Sequence, residues 1–365
     1  MFDNNSVLIV TGTDPVSKKG GIAFALPGYF SALENVGIQY QFVPTHDAIA
    51  KHGKWLPWLK AFYHILIKVW QIRSIGNNPV LYCHVGGGVA SFMRQTCIAW
   101  FAKLLRVESI MQLHGLEVDG YLDNAFKQKL FRIAIAPASR LAVLTNWWKD
   151  RLLNAGVHKA ISVIPNPLPA EWEKKAHEPR LYPSQNNLIT IFCMARLELG
   201  KGVDDLIEAF ALLPDTFCLI IAGDGDQFTG LQDRVSQLNL EQRVAFKGWV
   251  AGYEKQHLFD NSDIFCLPSR YDSFGMGYLE SMANGLPVVA YRWGAISDVV
   301  VDGRCGYLAK EYTPGALAES ITQLSDKNIQ VKMSIEGKKW VLEEFSSSVV
   351  GSKIIKMLQA LNIDD

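Results

Sequence analysis

The feature that most constrains this chain is its rhythm: short β-branched and apolar runs alternate with helix-length segments from one end to the other. In the first half the runs are residues 7–11, 39–43, 80–84, 109–114, 141–145 and 162–164, and helical patterns such as 22–35, 55–75, 90–105 and 146–155 lie between them. The second half repeats the rhythm with runs at 188–193, 217–222, 244–247, 264–267, 287–290 and 306–308. A parallel strand pair needs a crossover, and the crossover helix covers the sheet, so near-continuous apolar strands separated by helices read as parallel sheets buried on both faces. A chain of 365 residues also exceeds one ordinary core. The prediction is an α/β chain of two Rossmann-like domains in tandem.

The boundary is legible. Pro165-Asn166-Pro167-Leu168-Pro169 ends the first series, and three prolines in five residues stop regular structure. The expected domains are 1–168 and 188–346, with 169–187 as a linker rich in charge and proline. A last helical segment, 347–361, follows the second sheet, and the pattern leaves open a return to the first domain.

Charge matters because it is uneven. Residues 1–170 hold 17 Lys+Arg against 9 Asp+Glu, while residues 171–365 hold 19 against 27. A cationic half faces an anionic partner. No zinc finger, helix-turn-helix or basic-aromatic RNA motif accompanies it, so nucleic acid is not expected, and a membrane surface fits better. Residues 55–73 sharpen this: Lys60, His64, Lys68 and Gln71 share one helical stripe, with tryptophans and aliphatics elsewhere. Such a segment reads either as a basic amphipathic helix lying on anionic lipid, or as a Rossmann helix buried on its sheet with a solvated stripe. No signal-peptide pattern and no eighteen-residue apolar stretch is visible. The expectation is a cytoplasmic protein, peripheral on the inner face of the membrane. The six cysteines show no metal-ligand spacing and read as reduced, buried thiols.

Four stretches carry chemistry. Pro268 to Pro287 leaves an apolar strand, passes Asp272, Ser273, Phe274, Gly275 and Met276, and opens a helix that carries Glu280, placed two turns in. A helix start presents N–H groups that suit an oxygen-rich or anionic ligand. Arg196 and Lys201-Gly202 follow the strand at 188–193, where a cation pair can grip a diphosphate, although lone surface charges look the same. Gly20-Gly21 sits between the first strand and the first helix without the GxGxxG fingerprint, which disfavours a dinucleotide cofactor. His114-Gly115 ends the strand at 109–114, and His84 is a weaker candidate of the same kind.

Together these stretches resemble glycosyltransferase family 4, of the two-domain GT-B architecture, over nearly the whole chain. Asp272 and Glu280 are similar to its acid-x7-acid signature, and Arg196 with Lys201 to its phosphate pair. Gly20-Gly21, His114-Gly115 and Ile164-Pro165-Asn166 match its glycine turn, histidine-glycine pair and interdomain segment, while Gly248-Trp249 lies in the stretch resembling its nucleobase loop. The resemblance implies a retaining transfer without metal or other cofactor. A hexose-type sugar would move from a UDP or GDP donor, bound in a cleft between the domains, to a glycan or lipid-linked acceptor, in cell-surface polysaccharide or lipopolysaccharide synthesis. It implies that Arg196 and Lys201 hold the diphosphate, Glu280 the ribose, and Asp272 with the backbone of Ser273 to Met276 the hexose. Gly21, Gly248 and Trp249 would line the donor site, and His114 would lie near the reacting sugar. The family's first acid is usually Glu, so Asp272 puts the donor's identity in question. A phosphorylase, an epimerase or a catalytically idle assembly partner on the same fold are the alternatives.

Overall fold

In the computed structural model, which describes residues 6–17, 21–46, 55–180 and 188–362, the chain divides into two compact units, Met1–Ala170 with Phe345–Asp365, and Glu171–Glu344. Each is built on six parallel strands.

The first unit alternates β1 (Ser6–Thr13), α1 (Gly21–Asn35), β2 (Tyr40–His46), α2 (Leu56–Ser74), β3 (Asn78–Val85), α3 (Val89–Leu104), β4 (Glu108–Leu113), α4 (Ala125–Ile135), β5 (Arg140–Val143), α5 (Asn146–Asn154) and β6 (Ile161–Val163). Its sheet runs β2-β1-β3-β4-β5-β6. The step from β1 to β2 goes one way along the sheet and every later step goes the other. Right-handed crossovers therefore put α1 on one face and α2 to α5 on the opposite face. The exits of β1 and β3 flank the point where the strand order reverses, where such sheets form a crevice.

The second unit opens with α6 (Ala170–His177) and continues β7 (Ile189–Met194), α7 (Val203–Ala211), β8 (Phe217–Ala222), α8 (Phe228–Gln237), β9 (Val244–Gly248), α9 (Gly252–Asp260), β10 (Ile264–Cys266), α10 (Met276–Ala283), β11 (Val288–Tyr291), α11 (Ile296–Val299), β12 (Gly306–Ala309), α12 (Pro314–Gln323) and α13 (Lys327–Phe345). Its sheet runs β12-β11-β10-β7-β8-β9, so the order reverses between β7 and β10. Phe192 of β7, Phe265 of β10 and Phe259 of α9 meet edge-on and tilted in its core, with centroids 5.1–6.5 Å apart.

The last helix, α14 (Ser347–Gln359), lies in the first unit, where Val350, Ile354, Met357 and Leu358 share one core with Leu26, Tyr29, Ala32 and Leu33 of α1. Burying each such aliphatic side chain is worth about 1.5–3 kcal/mol, so α14 completes the cover on the α1 face.

The segment read as a linker is more structured than its proline content implies. Pro165 to Leu168 are buried within the first unit, and Leu168 N donates to Phe345 O at 2.7 Å. Proline brings no N–H, so a proline-rich strand exit can be buried with fewer donors to satisfy. Helix α6 occupies 170–177 and packs Trp172 on Phe259 at 5.5 Å. Residues 181–187 of the expected linker lie outside the described residues.

Candidate active site

The second unit brings four of the singled-out charges to the carboxyl ends of its strands. The exits of β7 and β10 press together at the reversal point. Gly202, the N-cap of α7 at φ +73°, lies so close that a Cβ there would sit 2.2 Å from Pro268 O. Arg270 N donates to Gly200 O at 2.9 Å. Across this seam Lys201, only 8% exposed, donates its Nζ to Tyr271 O and to Asp272 Oδ1, both at 2.9 Å. The other carboxylate oxygen, Asp272 Oδ2, is buried with no hydrogen-bond partner. Arg196 stands outward and pairs with Glu198 at 2.7 Å.

Helix α10 starts next to this pair. Gly275 caps it at φ +84°, and the Tyr278 ring lies 2.3 Å from where its Cβ would be, so glycine is required twice over. Tyr278 in turn donates its hydroxyl to Leu267 O at 2.8 Å, fastening α10 to the exit of β10. Phe274 is buried beneath the turn, while Ser273 and Met276 are partly exposed. Because the helix begins at Met276, Glu280 stands little more than one turn in, not two: the left-handed Gly275 delays the helix start.

Glu280 is held from a direction the sequence did not indicate. Lys255 of α9 reaches its Oε2 at 2.7 Å, with the ammonium 5.1 Å above the Trp172 ring. Burial pushes the Glu280 carboxyl above its ordinary value, and Lys255 pulls it back down. Gly248 and Trp249 are placed along the same rim. Gly223 N donates to Gly248 O at 2.7 Å, tying the β8 and β9 exits, and Trp249 stands 62% exposed.

In the first unit, His114 follows β4 and His84 sits in β3, and the two rings meet with His84 Nδ1 2.8 Å from His114 Nε2. Burial holds both neutral, pushing His114 down to about 3 against an opposing hydrogen bond to Asn166. The same Asn166 takes the Tyr29 hydroxyl at 3.2 Å, and Gln112 Nε2 donates to Tyr29 and to Ile164 O. His114 and the 164–166 segment are therefore one buried polar network. Gly21 begins α1 with open space around its Cα, whereas Gly20 lies outside the described residues.

The chain has known relatives. The family described as "Glycosyl transferases group 1" matches residues 175–340. The N-acetyl-alpha-D-glucosaminyl L-malate synthase of Bacillus anthracis is 33% identical over 297 residues, 78% of this chain and 76% of that protein. The chain belongs to the group 1 glycosyltransferases. Among solved structures, a glycosyltransferase from Rickettsia africae superposes with a TM-score of 0.77 over 99% of this chain and 100% of that one, at 15% identity. HepE of Anabaena, solved in complex with UDP, gives 0.73 over 98% and 100%, at 18% identity. At such identities the likeness concerns the fold, which is the GT-B type. In this transferase Lys201, Asp272 and Glu280 each have an internal counter-charge. Lys255, Glu198 and the Tyr29–Gln112 pair were missed by sequence reasoning, because each acts through a contact between side chains that no local pattern marks.

Proposed function

We propose that this transferase moves a hexose from a UDP or GDP donor to a glycan or lipid-linked acceptor with retention of configuration and without a metal. The observation that carries the reading is the Lys201–Asp272 pair at the sheet's reversal point, with Asp272 Oδ2 buried and unpartnered beside the start of α10. Ligands of open α/β sheets bind at that crevice, and a helix start there favours an anion. The orphaned oxygen needs a donor, which a hexose hydroxyl supplies.

In this account Arg196 and Lys201 take the diphosphate, and their two positive charges stabilise its departure in place of a metal ion. Glu198 must give up Arg196 as the diphosphate arrives. Glu280, paired with Lys255, accepts from the ribose hydroxyls, and Gly248 with Trp249 lies against the base. Asp272 and the backbone of Ser273, Phe274, Gly275 and Met276 hold the sugar. His114 and Gly21 belong to the first unit, which in this account serves the acceptor. Departure of the diphosphate and entry of the acceptor hydroxyl on the same face leave the anomeric configuration unchanged. One relative and one structural neighbour support the donor class: the B. anthracis enzyme is an N-acetyl-alpha-D-glucosaminyl L-malate synthase by name, and HepE was solved with UDP.

The test is donor turnover with UDP- and GDP-hexoses in excess EDTA, reading nucleotide release by chromatography and the product anomer by proton NMR. One nucleotide series consumed in EDTA, with an α-linked product from an α-linked donor, is expected. Inversion, or turnover only with a divalent ion, overturns the reading.

A further inference from the structure

Helices α2, α3 and α4 stand side by side on one face of the first unit's sheet, α2 against α3 and α3 against α4. Helices α2 and α3 each bury an apolar stripe on the sheet, Ala61, Ile65, Val69 and Ile72 on α2 and Phe92, Ile98 and Ala99 on α3, while α4 buries Ile135 and Phe131, whose ring stacks on Phe92. Each also carries a second apolar stripe that faces solvent. On α2 it is Leu59, Tyr63, Leu66 and Trp70, spaced four, three and four residues apart, as one helix face requires. On α3 it is Val89, Met93, Trp100 and Leu104, and on α4 Phe126, Leu130 and Ile133. All eleven are between 44% and 79% exposed. Scattered exposed apolar residues are ordinary, but three such stripes on neighbouring helices make an apolar face that calls for a cover.

Charge says what the cover is. None of the three helices contains Asp or Glu. Lys60, Arg73, Lys103, Lys127, Lys129 and Arg132 all stand exposed on them. A second copy of this chain would set cation against cation across a two-fold axis. Protein interfaces are depleted in lysine at their cores. Apolar stripes with aromatic residues, edged by long basic side chains, match the boundary of an anionic bilayer, where tryptophan and tyrosine sit at headgroup level and lysine reaches the phosphates.

We infer that this three-helix face docks flat on an anionic lipid bilayer. No helix among the described residues is long and apolar enough to cross a membrane, so the contact is peripheral. The sequence left α2 as either a buried Rossmann helix or a lipid-facing one. Its burial pattern has room for both, with one stripe on the sheet and another outward. The inference is independent of the proposed chemistry.

The test is co-sedimentation of the full chain with vesicles of phosphatidylcholine alone and with about 30% phosphatidylglycerol. Binding to the anionic vesicles and little to the neutral ones is expected. Lys127→Gln/Lys129→Gln/Arg132→Gln should weaken it at least tenfold, since each basic residue near such a surface is worth about fivefold. Leu59→Gln/Leu66→Gln/Trp70→Gln should do the same while leaving the melting temperature and nucleotide binding unchanged, because these side chains face solvent. Equal binding to neutral vesicles, or either triple variant binding as the parent does, overturns the inference. So does a dimer in analytical ultracentrifugation that the Leu59/Leu66/Trp70 variant dissolves without any lipid binding.

Discussion

Replacing Lys255 with Met keeps most of the side chain's bulk and removes the charge from a 2.7 Å ion pair with Glu280. The two side chains are 20% and 12% exposed, so water can replace the lost ammonium only in part. Breaking a fully buried pair costs about 3–5 kcal/mol. With this residual exposure the expected loss is about 2 kcal/mol, or roughly 4–8 °C in Tm for a unit of this size. The loss also has a pH signature. Burial raises the Glu280 carboxyl and Lys255 opposes it, so the variant's carboxyl rises further. A carboxyl raised in the folded state keeps its proton after the unfolded chain has released its own, and stability then falls as pH rises through that window. The deficit relative to the parent should thus be small at about pH 3, where the carboxyl is protonated in both states, and full at about pH 7.5. Differential scanning calorimetry of both proteins at the two pH values reads it, and titration with the nucleotide should show about tenfold weaker binding at the higher one. A deficit that does not change with pH, or nucleotide affinity equal to the parent's, would refute the role given to this pair.

Three further outcomes are expected. His114 stays neutral in the folded chain, held down to about 3, while an unfolded histidine takes a proton near pH 6.5, so this stability is present above about 6.5 and is lost toward 3 at ~1.4 kcal/mol per pH unit; His114→Gln should flatten the acid limb of Tm against pH, and an unchanged limb speaks against it. Tyr29→Phe strands Gln112 and Asn166 inside the first unit and should cost about 1–3 kcal/mol in urea unfolding, a cost below about 0.5 kcal/mol meaning that the network is dispensable. Gly275→Ala sets a Cβ 2.3 Å from the buried Tyr278 ring at φ +84°, so it should cost at least about 2 kcal/mol and weaken nucleotide binding in calorimetry, with parent-like behaviour contradicting the tight turn.

Much of the fold could be read in advance because a parallel strand is buried on both faces and leaves a continuous apolar run. Each of the twelve runs is a strand among the described residues. Helices α4 and α6 escaped, since AFKQKLFRIAI and AEWEKKAH mix charge with few apolar positions and bury only two residues each. Asp272, Arg196 and Lys201 were legible as charges at strand exits, the place where such sheets bind ligands. Their pairing was not: the Lys201–Asp272 and Lys255–Glu280 contacts join separate loops and helices, and His84 with His114 joins residues 30 apart. The outward stripes of α3 and α4 were hidden for a different reason. A helix apolar on two sides does not say which side meets the sheet.

The most direct measurement is isothermal titration of UDP and GDP in EDTA against the parent and Arg196→Ala/Lys201→Ala. One of the two nucleotides should bind the parent, and the double variant, still folded by calorimetry, should lose about a hundredfold or more in affinity, as expected when two charge-assisted contacts of about 1.5–3 kcal/mol each are removed. A double variant that binds the nucleotide as tightly as the parent would contradict the assignment of this crevice as the donor site.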